Sequence, residues 1–152
     1  MRNASHRFFV DTNVLAYAYD VSEPVRRERA LAVIESLYSA GSGAISSQVL
    51  SELFSALTRL RGIGMAPELA EKRVLAFAHT WPVYDVRPLD VMEALRGVST
   101  HKLNYFDALI WATARLNGIP FLLSEDGQDG RVIDGVRFIN PLADDFDAGL
   151  LS

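Results

Sequence analysis

Cysteine is absent from this 152-residue chain. Disulfide scaffolds, thiolate zinc sites and thiol chemistry are therefore excluded, and a reducing compartment suits the composition. Histidine is scarce. His6, His79 and His101 show no metal-ligand spacing, which argues against a histidine-based zinc centre. Lysine is scarcer: Lys72 and Lys102 are the only ones among 15 basic residues, and the others are arginines. Genome composition accounts for such a bias, although the planar arginine fork also suits phosphate. No apolar stretch could span a bilayer, because the longest charge-free segment, residues 36–51, is full of Ser and Gly. Residues 1–7 carry charge with no apolar region behind them, since Phe8-Phe9-Val10 runs at once into Asp11. A secretory leader is not expected, and a cytoplasmic protein is. Excess positive charge is missing too. The net charge of −4 argues against a protein that coats nucleic acid through bulk positive charge. Neither a Gly-rich phosphate loop nor a G-x-S-x-G elbow occurs.

What is present is ordinary for a folded protein: 49% hydrophobic and 22% charged residues, with no repeat, low-complexity tract or long linker. The length suits a single domain over residues 1–152. Short β-type runs alternate with helical ones. Phe8-Phe9-Val10 and Phe121-Leu122-Leu123 are apolar at successive positions, as strands buried on both faces should be. Ala44-Ile45 and residues 83–86 read as further strands. Ala30, Val33, Ile34, Leu37 and Tyr38 recur at helical spacing between the Ser22 and Pro24 start signals and the Gly41 stop. Ser46 is a candidate N-cap for a helix carrying Val49, Leu50, Leu53, Phe54, Leu57 and Leu60. Pro67 opens a helix with Ala70, Val74, Phe77, Ala78 and Trp81 on one face, and Pro88 opens one with Met92 and Leu95. Asn104 caps a helix carrying Phe106, Leu109, Ile110, Thr113 and Leu116, stopped by Gly118 and Pro120. Two closing strands flank an Asp134-Gly135 turn. This alternation predicts a three-layer α/β/α sandwich around a mostly parallel sheet.

In open α/β sheets ligands bind beyond the carboxyl ends of the strands. Asp11 directly follows the first strand. Asp126 follows the Phe121 strand after Ser124-Glu125. Asp107 lies in the first turn of the Asn104 helix, and Glu52 sits within the Ser46 helix. Singly, each has a plain structural explanation. Asp107 favours a helix N-terminus, Asp126 precedes Gly127 and suits a turn, Glu52 suits a solvated helix face, and Asp11-Thr12-Asn13 suits a capping turn. Together they say more. Carboxylates that converge in a cleft repel and raise one another's pKa, and a hard divalent cation such as Mg2+ removes that repulsion.

The segments Phe9-Val10-Asp11-Thr12-Asn13-Val14-Leu15, Ser47-Gln48-Val49-Leu50-Ser51-Glu52-Leu53, Tyr105-Phe106-Asp107-Ala108-Leu109-Ile110 and Leu122-Leu123-Ser124-Glu125-Asp126, with Asn140-Pro141 near the end, together resemble a PIN domain of the VapC toxin type. Each motif is weak alone; the ordered set, covering nearly the whole chain, is specific. The resemblance implies an endoribonuclease dependent on Mg2+ or Mn2+, leaving 5′-phosphate and 3′-hydroxyl ends, and serving as the toxin of a toxin–antitoxin pair. By position, Asp11, Glu52, Asp107 and Asp126 match the family's acidic cluster. It further implies Asp11, Asp107 and Asp126 as metal ligands, with Thr12, Asn13, Ser124 and Asp129 in support. Glu125, Asp126 and Asp129 all compete for the last acidic position; Asp126 is favoured because it follows the strand after one Ser-x step. The implied partners are RNA, a cognate antitoxin and a second copy in a homodimer or hetero-oligomer. Arg26, Arg27, Arg59, Arg61 and Arg96 are candidates for the RNA rim. Val14, Leu15, Tyr17, Tyr19 and the helix over residues 31–38 are candidates for a partner-facing surface, with core packing the preferred reading for most.

Three rival readings fit the sequence less well. A haloacid-dehalogenase-type phosphatase needs a second Asp where Asn13 stands. A receiver domain needs a late Lys, and no lysine follows Lys102. A PIN-like binding module that only sequesters a partner is the serious alternative, and retention of all four acidic positions weighs against it.

Overall fold

The structure is a computed structural model that describes residues 7–126 and 129–152. The segment 1–6, with His6 and most of the leader reading, lies outside the described residues, as does the Gly127 turn position. Among the described residues, six strands form one sheet in the order β3-β2-β1-β4-β6-β5. They are β1 (Phe8–Val10), β2 (Gly43–Ser46), β3 (Val83–Tyr84), β4 (Phe121–Leu123), β5 (Val132–Ile133) and β6 (Val136–Ile139). All neighbours pair in parallel except β5 with β6. That hairpin turns on Asp134 (φ 46°) and Gly135 (φ 84°), both in the left-handed region a tight two-residue turn demands.

Helices fill the crossovers: α1 (Thr12–Tyr17) and α2 (Pro24–Ala40) join β1 to β2. α3 (Ser47–Thr58) and α4 (Pro67–Thr80) join β2 to β3, and α5 (Pro88–His101) and α6 (Tyr105–Leu116) join β3 to β4. Right-handed crossovers put the first four on one face and the last two on the other, because the chain reverses direction across the sheet after β3. The contacts divide the same way: α1 packs on α2 and α3, α3 on α4, and α5 on α6. The three-layer mostly parallel sandwich expected from the alternation is therefore the observed fold. A short 3-10 turn, Ala148–Leu151, closes the chain against α2.

Local signals explain most boundaries. Ser46 caps α3 by accepting from the Val49 N–H at 3.2 Å. Gly41 ends α2 at φ +64°. Four sequence expectations are corrected. α3 ends at Thr58, so Leu60 is not on its buried face but 92% exposed in the following turn. α5 buries Asp90, Ala94 and Gly97, and leaves Met92 and Leu95 exposed. The reason is Trp111 of α6, which is fully buried against Gly97; a Cβ there would lie 2.8 Å from its ring. The inward face of α5 needs small residues, so its larger apolar ones point away. Residues 85–86 lie outside β3, and Phe106 is 64% exposed rather than in the core.

Candidate metal centre

The reversal of strand order falls between β1 and β4, the position where α/β sheets open a crevice at their carboxyl edge. Register brings the two strand ends level: Val10 pairs with Leu123, and the Asp11 N–H donates to the Leu123 carbonyl at 2.9 Å. Asp11 is the N-cap of α1. Its carboxylate accepts from the Thr12 N–H at 2.6 Å and from the Ser124 hydroxyl at 2.7 Å. Only 6% of Asp11 is exposed.

Asp107 comes from the first turn of α6, and Asp126 from the segment after β4. One carboxylate oxygen from each of Asp11, Asp107 and Asp126 lies within 4.8 Å of the others. The electrostatics record the crowding. Burial, opposed by the Ser124 hydrogen bond and reinforced by the charges of Asp107 and Asp126, pushes the Asp11 carboxyl up to about 7. Burial and then Asp126 push Asp107 up to about 6, against a hydrogen bond from Asn104. Asn104, expected only as a helix cap, thus serves the carboxylate. The Ser124 hydroxyl and the Thr12 N–H serve Asp11 and the Asn104 amide serves Asp107, and the acidic groups remain close together.

Glu52 stands in the second turn of α3, beside the triad and outside it. It accepts from the Thr12 hydroxyl at 3.0 Å and from the Gln48 amide at 2.6 Å. Gln48 also donates to the Phe106 carbonyl at 3.0 Å, which ties α3 to the start of α6. Asn13 accepts from the Glu125 N–H, and Ser124 from the Asp126 N–H, so both polar residues hold the post-β4 segment. One expectation is corrected. The structure does not bring Asp129 into the cluster: its carboxylate accepts from the Asn140 N–H at 2.9 Å. Glu125 turns away, taking Tyr17 Oη at 2.9 Å and Arg26 Nε at 2.7 Å.

The cluster floors an open cleft of about 580 Å³. Its walls include Tyr17, Asp20, Glu52, Arg59, Ile63 and Phe106. Of the five candidate rim arginines, Arg59 lines this cleft. Arg26 is spent on Glu23 and Glu125. Arg96 lies on α5, paired with Glu93 and Asp134 over the Trp111 ring. Arg27 and Arg61 are exposed outside the cleft wall. Val14 and Leu15 are core residues, as preferred, and Tyr17 and Tyr19 are half-buried. Sequence reasoning missed Gln48 and Asn104 as carboxylate partners; their only signal was a position four or three residues before an acidic one.

An all-oxygen set of three carboxylates with room for water matches what hard divalent cations take. The residues present fit such an ion. Its charge offsets the mutual repulsion of Asp11, Asp107 and Asp126.

A model of the PIN domain matches residues 8–132. No curated protein matches the chain. Several solved structures share the fold. VapC20 of Mycobacterium tuberculosis, described as a toxin cleaving the sarcin-ricin loop, is 18% identical with a TM-score of 0.59, over 84% of this chain and 97% of that one. A toxin–antitoxin complex from Klebsiella pneumoniae is 20% identical with a TM-score of 0.61, over 88% and 96%. DNA-bound VapBC from Salmonella typhimurium is 20% identical with a TM-score of 0.62, also over 88% and 96%. At such identities the likeness is one of fold.

Proposed function

The chain belongs to the PIN domain family, and on that premise we propose that it is a metal-dependent endoribonuclease, the toxin of a type II toxin–antitoxin pair. The reading rests on one observation: three carboxylates from separate elements offer oxygens that lie within 4.8 Å of one another. Asp11, Asp107 and Asp126 would hold Mg2+, or Mn2+ in its place. Bound there, a divalent cation would supply positive charge against the phosphodiester and make a nearby water more acidic.

The chain's own groups prepare the site. Ser124 and the Thr12 N–H fix both oxygens of Asp11, so its carboxylate cannot swing out of the notch. Asn104 orients Asp107. Glu52, fastened by Thr12 and Gln48, adds a fourth carboxylate at the wall and is the group placed to accept a proton from the attacking water. Arg59 offers the cleft a cation for a flanking phosphate.

The partners follow the neighbours that are toxin–antitoxin complexes: the chain pairs with a cognate antitoxin and assembles as a homodimer or hetero-oligomer. It works as one domain in the cytoplasm. Among the described residues no helix is long and apolar enough to cross a membrane. The deciding experiment incubates purified protein with RNA and Mg2+. Cleavage that stops with EDTA and returns with added Mg2+ or Mn2+ is expected. A folded protein that binds RNA or a protein partner without cutting would instead make this a sequestering module.

A further inference from the structure

Phe106 is out of place for a helix residue with an apolar side chain. It is 64% exposed, and among the described residues it is the one large hydrophobic that is both strongly exposed and part of the cleft wall. Other exposed apolar residues, such as Leu89, Met92 and Leu95 of α5, lie outside the cleft. The ring is also held. It meets Tyr105 edge to face at 5.2 Å, and Tyr105 packs against the core. The Phe106 carbonyl is tied to Gln48 of α3. An aromatic face presented to solvent on a fixed backbone, one residue from a member of the carboxylate triad, has already lost the freedom that binding would otherwise cost it.

We infer that Phe106 is the platform on which one base of the substrate strand stacks while the adjoining phosphate lies over Asp11, Asp107 and Asp126. The inference rests on the nuclease reading and adds a residue that positions the substrate. Inside a duplex both faces of a base are covered by its neighbours, so only a splayed or single-stranded nucleotide can offer a face to the ring. Stacking is also indifferent to base identity, because every base has a π-face. The strand's remaining charge meets Arg59 on the same wall. Phe106 therefore places a base without reading its identity.

The test compares wild type, Phe106→Ala and Phe106→Trp on an unstructured oligoribonucleotide, on the same strand annealed to its complement, and on versions with an abasic ribose beside the cleaved bond. Wild type should cut the single strand and spare the duplex. Phe106→Ala should lose about tenfold or more in kcat/KM on the single strand, as expected for a lost base–aromatic stack, and Phe106→Trp should restore it. The abasic substrate should carry a similar penalty with wild type and none beyond it with Phe106→Ala. The inference is overturned if Phe106→Ala cuts as well as wild type, if the abasic penalty persists in that variant, or if the variant changes only antitoxin binding. Those results leave the nuclease reading standing; failure of wild type to cut any RNA removes both.

Discussion

Two buried aspartates stand at the starts of two helices in this molecule, and they have opposite characters. Asp90 in α5 is 0% exposed. Its carboxylate accepts the Arg87 N–H at 2.8 Å and grips the Arg87 guanidinium at 2.9 and 3.2 Å, closing a capping box. Asp11 before α1 is nearly as buried, yet its donors are a hydroxyl and one N–H, and its neighbours are two more carboxylates. Burial is common to both; the sign of the surroundings differs. A carboxylate matched with its own cation completes the structure where it stands. A carboxylate buried among others is stable only with help from outside the chain, which marks it as a site.

The largest expected effect concerns chemistry. Asp11→Asn keeps the shape and removes a charge from the cation site, and it should lower single-turnover RNA cleavage at least about a hundredfold, the scale of losing several kcal/mol of metal-assisted stabilisation. Asp90→Asn should leave cleavage per folded molecule unchanged. Equal losses in the two variants would erase the distinction.

Stability should move the other way. The Asp11 carboxyl titrates near 3.8 when unfolded and at about 7 when folded. The folded protein therefore keeps a proton that the unfolded chain has released, so metal-free stability falls as pH rises from about 4 to about 7. Asp11→Asn should flatten much of that slope and stabilise the metal-free protein at pH 7 by up to about 4 kcal/mol. Asp107, pushed up in the same sense to about 6, leaves a residual slope. Urea titrations with EDTA across this range measure it. Saturating Mg2+ should narrow the gap by stabilising wild type.

A smaller and opposite change is expected at α5. Asp90→Asn breaks charge-assisted bonds and a cap, and should destabilise by about 1–3 kcal/mol in the same titrations, with little response to metal. The smallest effect tests the donors that hold Asp11. Ser124→Ala deletes the hydroxyl that lowers the Asp11 pKa. Cleavage or metal affinity should drop about tenfold, the low end for a residue that orients a metal ligand. The acidic limb of the pH–rate profile should also shift upward. A drop without that shift would mean Ser124 matters only to the backbone after β4.

How far the sequence discloses all this depends on the range of the interaction that decides each feature. β1 and β4 are apolar at every position because both faces are covered. Ser46, Gly41 and Asp134-Gly135 act within a few residues of themselves, so they are readable locally. The six-residue α1 is too short to show a period. The inward face of α5 is set by the bulk of Trp111 on another helix, which inverts the usual preference for large apolar residues. In the site, Asp11, Asp107 and Asp126 were legible as a set in order along the chain. Position after the strand already favoured Asp126 over Glu125 and Asp129; the physical reason lies in partners the sequence does not display, since Tyr17 and Arg26 take one and the Asn140 N–H takes the other. Phe106 was misplaced because apolar character alone does not tell a core residue from one presented to a ligand.

The bond between Ser124 and Asp11 joins residues 113 positions apart, and β4 is itself braced by β6, whose Ile139 lies opposite Leu123. Such remote pairings form late and slowly as a chain folds. A chain still being extended holds Asp11 long before Ser124, so the notch cannot assemble until β4 and the strand that braces it have been made. On the proposed reading, the same topology withholds the cutting geometry until those distant strands have paired.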